Sequence, residues 1–160
     1  MITKILKIIL IAVVVVFLLA QFVRPEFSNP PVVETDTLWA VTAVPDDVRH
    51  VIVRSCIDCH SNETRYPWYS QITPSNWFLA GHIEEGRHEM NLSTWRSYKP
   101  ETQKRKLGEI CEQVESKSMP LPSYLWIHRD AVLSDSEAKL LCDWANAEID
   151  KMDGKSAAPE

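Results

Sequence analysis

The first feature of the hydrophobic pattern is an uninterrupted apolar run close to the amino terminus, from Ile8 to Ala20. With its apolar neighbours the run reaches the ~20 residues that an α-helix needs to cross a bilayer. A cleaved signal peptide has the same basic start and apolar core, but its cleavage site wants small residues two positions apart. Leu18 stands two positions before Ala20, which fits that rule poorly. The pattern therefore favours an uncleaved membrane anchor over residues 1–24, with a signal peptide as the alternative.

Residues 25–45 show no helical period, and four prolines lie among them. This composition predicts an extended tether between the anchor and the rest of the chain. Lys4 and Lys7 precede the apolar run, and basic residues favour the cytoplasmic side of a membrane. We therefore expect a single-pass protein of the inner (cytoplasmic) membrane whose main domain lies on the periplasmic, or extracytoplasmic, side.

Apolar residues return at helical spacing from residue 46 to about residue 152, and no segment alternates as a strand does. Four helices are predicted, with start signals at Asp46, at Ser75, at Pro100 in a first turn and at the capping box Ser134–Glu137. The tail over 153–160 is expected to be flexible. The pattern thus predicts an all-α domain.

The residues with the most distinctive chemistry lie where the first of these helices is predicted to end, in the sequence Cys56-Ile-Asp-Cys59-His60. This C-x-x-C-H spacing lets two thiols add to the vinyl groups of haem while the adjacent histidine binds the iron. C-x-x-C alone also occurs in dithiol redox sites and zinc sites. No strand precedes the motif, and no second C-x-x-C follows it. The motif therefore predicts one covalently attached haem c, with the histidine as an iron ligand.

The ligand on the other side of the iron is predicted to be Met119, whose thioether sits in a loop stiffened by Pro120 and Pro122. A methionine at such a position can also be a flexible core residue. The alternatives are His82 on the second helix, Met90 at the end of that helix, or an open sixth position. The remaining histidines are expected to be solvated or structural.

Other residues around the motif are candidates for contacts with the haem. A metal-bound histidine normally donates its second ring N–H to a carbonyl or carboxylate. By position, the carbonyl at Pro74, or at Pro67, would accept it. Further candidates are the aromatic residues that could pack on the ring or bond its propionates, and an arginine that could neutralise a propionate: Trp68, Tyr69, Trp77, Tyr124 and Arg65. For each of them an ordinary core or surface role is the alternative.

Cys111 and Cys142 each fall on the apolar face of a predicted helix. In an oxidising compartment they could form a disulfide between the third and fourth helices. They could equally be two separate buried thiols that act as small hydrophobic residues. Their spacing leaves both possibilities open.

Charge excludes one class of partner. The formal net charge is −5, but all 22 acidic residues and only 14 of the 17 basic residues lie from Glu26 onward, which gives that part a charge of −8. Nucleic-acid-binding domains carry basic clusters instead. A charged protein partner of this domain would be basic.

Several segments resemble the bacterial haem-binding domain family related to cytochrome c. They are Cys56–Tyr69, Ile83–Arg87, Met119–Tyr124 and Leu133–Trp144, together with the Arg-Pro and Asn-Pro-Pro pairs that follow the anchor. The resemblance implies a small, cytochrome c-like helical domain around a single haem, tethered to a membrane. It does not name a physiological partner.

Three functions of different classes remain open. An electron carrier would have both axial positions of the iron filled and would exchange electrons with redox proteins that the sequence does not identify. A haem enzyme such as a peroxidase would need an open distal position and an acid–base residue, for which only His82 qualifies. A gas or redox sensor would need a signalling element, yet only a few residues precede the apolar run. The sequence therefore favours electron transfer without catalysis.

Overall fold

The computed structural model describes residues 1–155, which form helices and no strand. The α-helices are α1 (Ile2–Ala20), α2 (Leu38–Val41), α3 (Asp46–Ser55), α4 (Ile57–His60), α5 (Ser75–Glu89), α6 (Pro100–Glu115), α7 (Pro122–Leu125) and α8 (Asp135–Met152). Short 3-10 helices lie at Glu34–Asp36, Trp68–Gln71, Leu92–Ser97 and Arg129–Ala131. The predicted all-α fold class is confirmed. Most of the predicted flexible tail, residues 156–160, lies outside the described residues.

Helix α1 coincides with the predicted anchor. It has 19 residues with a mean hydropathy of 2.8, and none of its side chains is buried against the rest of the protein. A helix of this length and composition can cross a bilayer, and a signal sequence has the same properties.

The core of the domain lies between α6 and α8 and extends to α2 and α3. Its buried members are Leu38, Val48, Val51, Ile52, Leu92, Trp95, Leu107, Val114, Leu141, Cys142, Trp144 and Ala145. A disulfide between Cys111 of α6 and Cys142 of α8 joins the two longest helices of this core. The two cysteines are therefore bonded and are not separate thiols.

Two of the predicted helix starts are confirmed by their hydrogen bonds and backbone. Pro100 is the first residue of α6, where its missing N–H costs nothing. At α8 the N–H of Glu137 donates to Ser134 Oγ at 3.2 Å, and the N–H of Ser134 donates to the Glu137 carboxylate at 2.8 Å. This reciprocal pair is the capping box that the sequence predicts.

The other two predicted caps, Asp46 and Ser75, are wrong. Each is the first residue inside its helix, and the preceding proline occupies the cap position without a side-chain bond. The Ser75 hydroxyl donates to the carbonyls of Ile72 and Tyr69 at 2.6 and 2.7 Å. It therefore ties α5 to the preceding 3-10 turn and accepts no helix N–H.

The predicted extended course of residues 25–45 does not hold for their second half. A 3-10 turn and α2 occupy Glu34–Asp36 and Leu38–Val41, and the side chain of Leu38 is completely buried in the core. A four-residue helix is too short to show an apolar period, so the pattern gave no sign of it. The folded part of the chain thus includes residues that precede residue 46.

Candidate functional site

The C-x-x-C-H motif spans a break between two helices. Helix α3 ends at Ser55, and Cys56 leaves helical geometry with φ −124° and ψ −36°. The same residue then caps α4, whose four residues end at His60. This break turns the two cysteines and the histidine toward a cleft between α5, α6 and the Met119 loop.

The cleft consists of two adjoining cavities of about 400 and 200 Å³. Both are lined by Cys56, His60 and Met119. The larger cavity has an apolar wall that includes Met90, Ile110, Val114 and Leu133. The smaller one is lined by Cys59, His82, Gly86 and Tyr124, among others. The volume of the larger cavity lies within the range of pockets for small ligands and cofactors.

The imidazole of His60 is oriented by the backbone at the end of α5. Its Nδ1 lies 3.1 Å from the carbonyl oxygen of Met90. A carbonyl can only accept, so Nδ1 carries the proton and Nε2 keeps its lone pair for a metal. Burial lowers the pKa of His60, which also favours the neutral ligand form. The role expected of Pro74 or Pro67 therefore belongs to Met90; Pro74 lies at the opposite end of α5.

Close packing of α5 on α4 depends on Gly86. A Cβ atom at this position would lie 2.7 Å from the carbonyl oxygen of Cys59, closer than real Cβ contacts come. Because that oxygen belongs to the backbone, no side-chain rotation can relieve the clash. Glycine at position 86 thus allows the end of α5 to reach His60.

The two thiols of the motif are unbonded and weakly acidic. Burial raises the pKa of Cys56 to about 12 and that of Cys59 to about 11, and the Asp58 charge adds to the effect at Cys59. Dithiol redox sites lower the pKa of the attacking cysteine so that a thiolate is present at neutral pH. The environment of Cys56 and Cys59 is the opposite, which argues against a thioredoxin-like function.

Asp58, between the two cysteines, is a buried carboxylate that sequence reasoning missed. Its Oδ1 accepts from the backbone N–H and the Nε of Arg65 at 3.1 and 3.0 Å. Its Oδ2 accepts from Arg65 Nη2 at 3.1 Å and from the Tyr124 hydroxyl at 2.8 Å. These bonds connect the motif to α7, directly after the Met119 loop. An aspartate in a short polar stretch gives no sequence signal of such burial.

The structure separates the predicted haem-contact residues into two groups. Cys56, Cys59, His60, Met119 and Tyr124 line the cleft. The other candidates are not among its lining residues: Arg65, Trp68, Tyr69, Pro74 and Trp77. The guanidinium of Arg65 is engaged by Asp58, and Trp68 is 73% exposed.

Tyr69 is connected to the site through His128. The Tyr69 hydroxyl lies 2.8 Å from His128 Nε2, and the His128 ring stacks on Tyr124 at 4.1 Å between centroids. His128 is thus structural, as expected, and it supports the tyrosine that binds Asp58.

Lys106 is a second residue that the sequence reasoning missed. Its side chain is 7% exposed and lies on the wall of the larger cavity, with Glu109 at 3.3 Å and Glu89 at 3.9 Å. These two carboxylates compensate the charge of the buried lysine within the protein. The burial of Lys106 could have been predicted from its position four residues before Ile110, which places it beside the apolar face of α6.

His82 remains the alternative to Met119. It lines the smaller cavity, packs edge-on against Phe78 with ring centroids 4.2 Å apart, and has a buried Nε2 without a hydrogen-bond partner. A buried imidazole nitrogen without a partner is uncommon and is consistent with a ligand contact.

The cleft fits a haem group. It offers an oriented neutral imidazole nitrogen, a thioether, two thiols and apolar walls, which are the groups that hold a haem c. Comparison of the sequence with known families agrees: the description of the matching family is "haem-binding domain", and the match covers residues 15–147.

The chain belongs to the haem-binding domain family. The matched span contains every residue of the cleft, so the resemblance seen in the sequence is confirmed. Comparisons with curated proteins and with solved structures gave no match. As a member of the haem-binding domain family, the protein binds haem; the family does not define a reaction.

Proposed function

We propose that the protein is a membrane-anchored c-type cytochrome that transfers single electrons on the extracytoplasmic side. One haem would be bonded covalently through Cys56 and Cys59, with His60 and Met119 as the axial ligands. The observation that carries the proposal is that all four side chains line one cleft. The fold brings Cys56 and Met119, which are 63 positions apart in the sequence, to the same cleft.

A bound haem iron takes up and releases one electron, and the protein residues set the conditions for that exchange. Met90 holds the proton on His60 Nδ1, so Nε2 is presented unprotonated. As a ligand, the thioether of Met119 would give a higher reduction potential than a second histidine. The apolar wall of the larger cavity would keep water away from the bound group.

The second candidate function is a haem enzyme or a gas or redox sensor with a displaceable distal ligand. It is favoured by the unpartnered Nε2 of His82, which lines the smaller cavity. In that function His82 would act on a molecule bound beside the iron. Electron transfer remains the main proposal because Met119 lines both cavities and can close the sixth position.

The partners of the carrier are proposed to be redox proteins with a basic docking surface, because the chain from Glu26 onward carries a formal charge of −8. Helix α1 would keep the protein in the inner (cytoplasmic) membrane as a single span. The disulfide between Cys111 and Cys142 is consistent with an oxidising, extracytoplasmic compartment.

Covalent attachment is tested with the full chain produced together with a haem-attachment system. The intact mass should include one haem, and the haem should resist extraction into acidified organic solvent. Cys56→Ser combined with Cys59→Ser should abolish attachment. The matched control replaces the disulfide pair, Cys111→Ser with Cys142→Ser, and should retain covalent haem. A folded protein whose haem extracts freely would contradict the proposal.

A further inference from the structure

The end of α1 is fixed to the haem domain by hydrogen bonds. The side-chain amide of Gln21 donates to the carbonyl of Thr73 at 3.1 Å and accepts from the N–H of Thr73 at 3.0 Å. Two residues further on, the carbonyl of Val23 accepts from the indole N–H of Trp77 at 2.8 Å. The residues directly after α1 therefore lie against the start of α5.

The chain stays attached to the domain beyond this point. The Tyr66 hydroxyl and Arg87 Nη1 donate to the carbonyl of Ser28 at 2.9 and 3.2 Å. Asn29 donates to the carbonyl of Thr64 at 3.0 Å and accepts from Arg87 Nη2 at 2.7 Å. Residues 21–29 are thus docked on the domain surface and do not form a free linker.

The stretch of chain that binds Gln21 and Val23 carries large exposed apolar side chains. We call it the aromatic patch and define it as Trp68, Ile72, Trp77 and Phe78, which are 73%, 39%, 45% and 59% exposed. All four lie in the stretch that includes Thr73, the partner of Gln21. Large apolar side chains exposed close together are typical of contact surfaces for proteins or membranes.

We propose that the aromatic patch lies in the headgroup region of the same bilayer that α1 spans, so that the haem domain rests on the membrane surface. The inference rests on the proposed function, because it requires α1 to be an anchor. It is carried by continuity: Trp77 of the patch, and Thr73 next to Ile72 in sequence, are hydrogen-bonded to Val23 and Gln21, directly after α1.

The chemistry of the patch suits that location. The headgroup region extends roughly 5–8 Å beyond the hydrocarbon core on each side. The hydrogen bonds to Gln21 and Val23 hold the backbone of Thr73 and the ring of Trp77 within that distance of the end of α1. Tryptophan is enriched in this region because its ring is apolar and its N–H is polar.

The inference is tested by photo-crosslinking in the full chain, reconstituted in vesicles of phosphatidylethanolamine and phosphatidylglycerol. The photoreactive residue p-benzoylphenylalanine replaces, one at a time, Phe17 in α1, Trp68 and Phe78 in the patch, and Met152 as a control. Met152 is 40% exposed at the end of α8, a helix that packs on α6 and α3. Haem absorbance of each variant verifies folding.

We expect lipid adducts at Phe17, Trp68 and Phe78, several-fold above the yield at Met152. Adducts at Phe17 without an excess at either patch position would overturn the inference and leave the anchor intact. So would crosslinks from the patch to a second copy of the protein in place of lipid. The absence of lipid adducts at Phe17 would reject both the anchor and this inference. The haem content of the same sample tests the proposed cytochrome function independently.

Discussion

At the scale of single residues, the notable group is the carboxylate of Asp58. It is nearly buried inside the haem motif and receives four hydrogen bonds, three of them from Arg65 and one from Tyr124. A buried carboxylate that loses a donor keeps its desolvation cost without compensation. The Tyr124 hydroxyl therefore stabilises the junction between the motif and the chain that follows Met119.

We expect Tyr124→Phe to lower the free energy of unfolding by about 1.5–3 kcal/mol, the usual range for a hydrogen bond to a charged group. The measurement is urea unfolding of the haem-loaded protein in detergent. Tyr66→Phe is the matched control, since its hydroxyl donates to a neutral, exposed carbonyl, that of Ser28. Equal losses in the two variants would show that Asp58 does not depend on Tyr124.

At the scale of helices, the start of α8 shows how a cap responds to pH. The backbone N–H of Ser134, with its hydroxyl and the nearby Arg54, lowers the pKa of Glu137 from 4.5 to about 2. A carboxylate with a depressed pKa contributes stability that is present above its unfolded pKa and lost as the pH falls toward its folded pKa. This contribution is thus complete at neutral pH and disappears between about pH 4.5 and 2.

Glu137→Gln keeps a capping side chain but removes the charge. The variant should be less stable than the natural protein at pH 7, and the difference should shrink as the pH is lowered from 4.5 toward 2. Thermal unfolding of both proteins across this range provides the measurement. A difference that stays constant over the range would show that the charge of Glu137 is not involved.

The elements also show why sequence reasoning succeeded in part. Long helices with a repeated apolar face, such as α6 and α8, were predictable because their period and start signals are local. Helix α2 was missed because four residues contain no period. The carbonyl that binds His60 was assigned to the wrong residue. Its identity depends on the close packing of α5 on α4 at Gly86, which the sequence pattern does not reveal.

For the whole molecule, the arrangement is an apolar helix followed by a chain that stays docked on an acidic haem domain. The C-x-x-C-H motif was identifiable from sequence because its spacing is itself the chemical requirement. The contacts of Gln21 and Trp77 could not be predicted from sequence, because they join residues more than 50 positions apart. A docked chain would hold the haem at a fixed distance from the membrane, where a flexible tether would let it move.

The central claim is that His60 and Met119 close both axial positions of one haem, and the absorption spectrum of the ferric protein tests it most directly. The natural protein should be low-spin, with a weak far-red sulfur-to-iron band, and its ferrous form should bind carbon monoxide slowly or not at all. Met119→Ala should remove the band and admit carbon monoxide, whereas His82→Ala should leave the spectrum unchanged. If His82→Ala changes the spectrum and Met119→Ala does not, the claim is contradicted and the second ligand is His82.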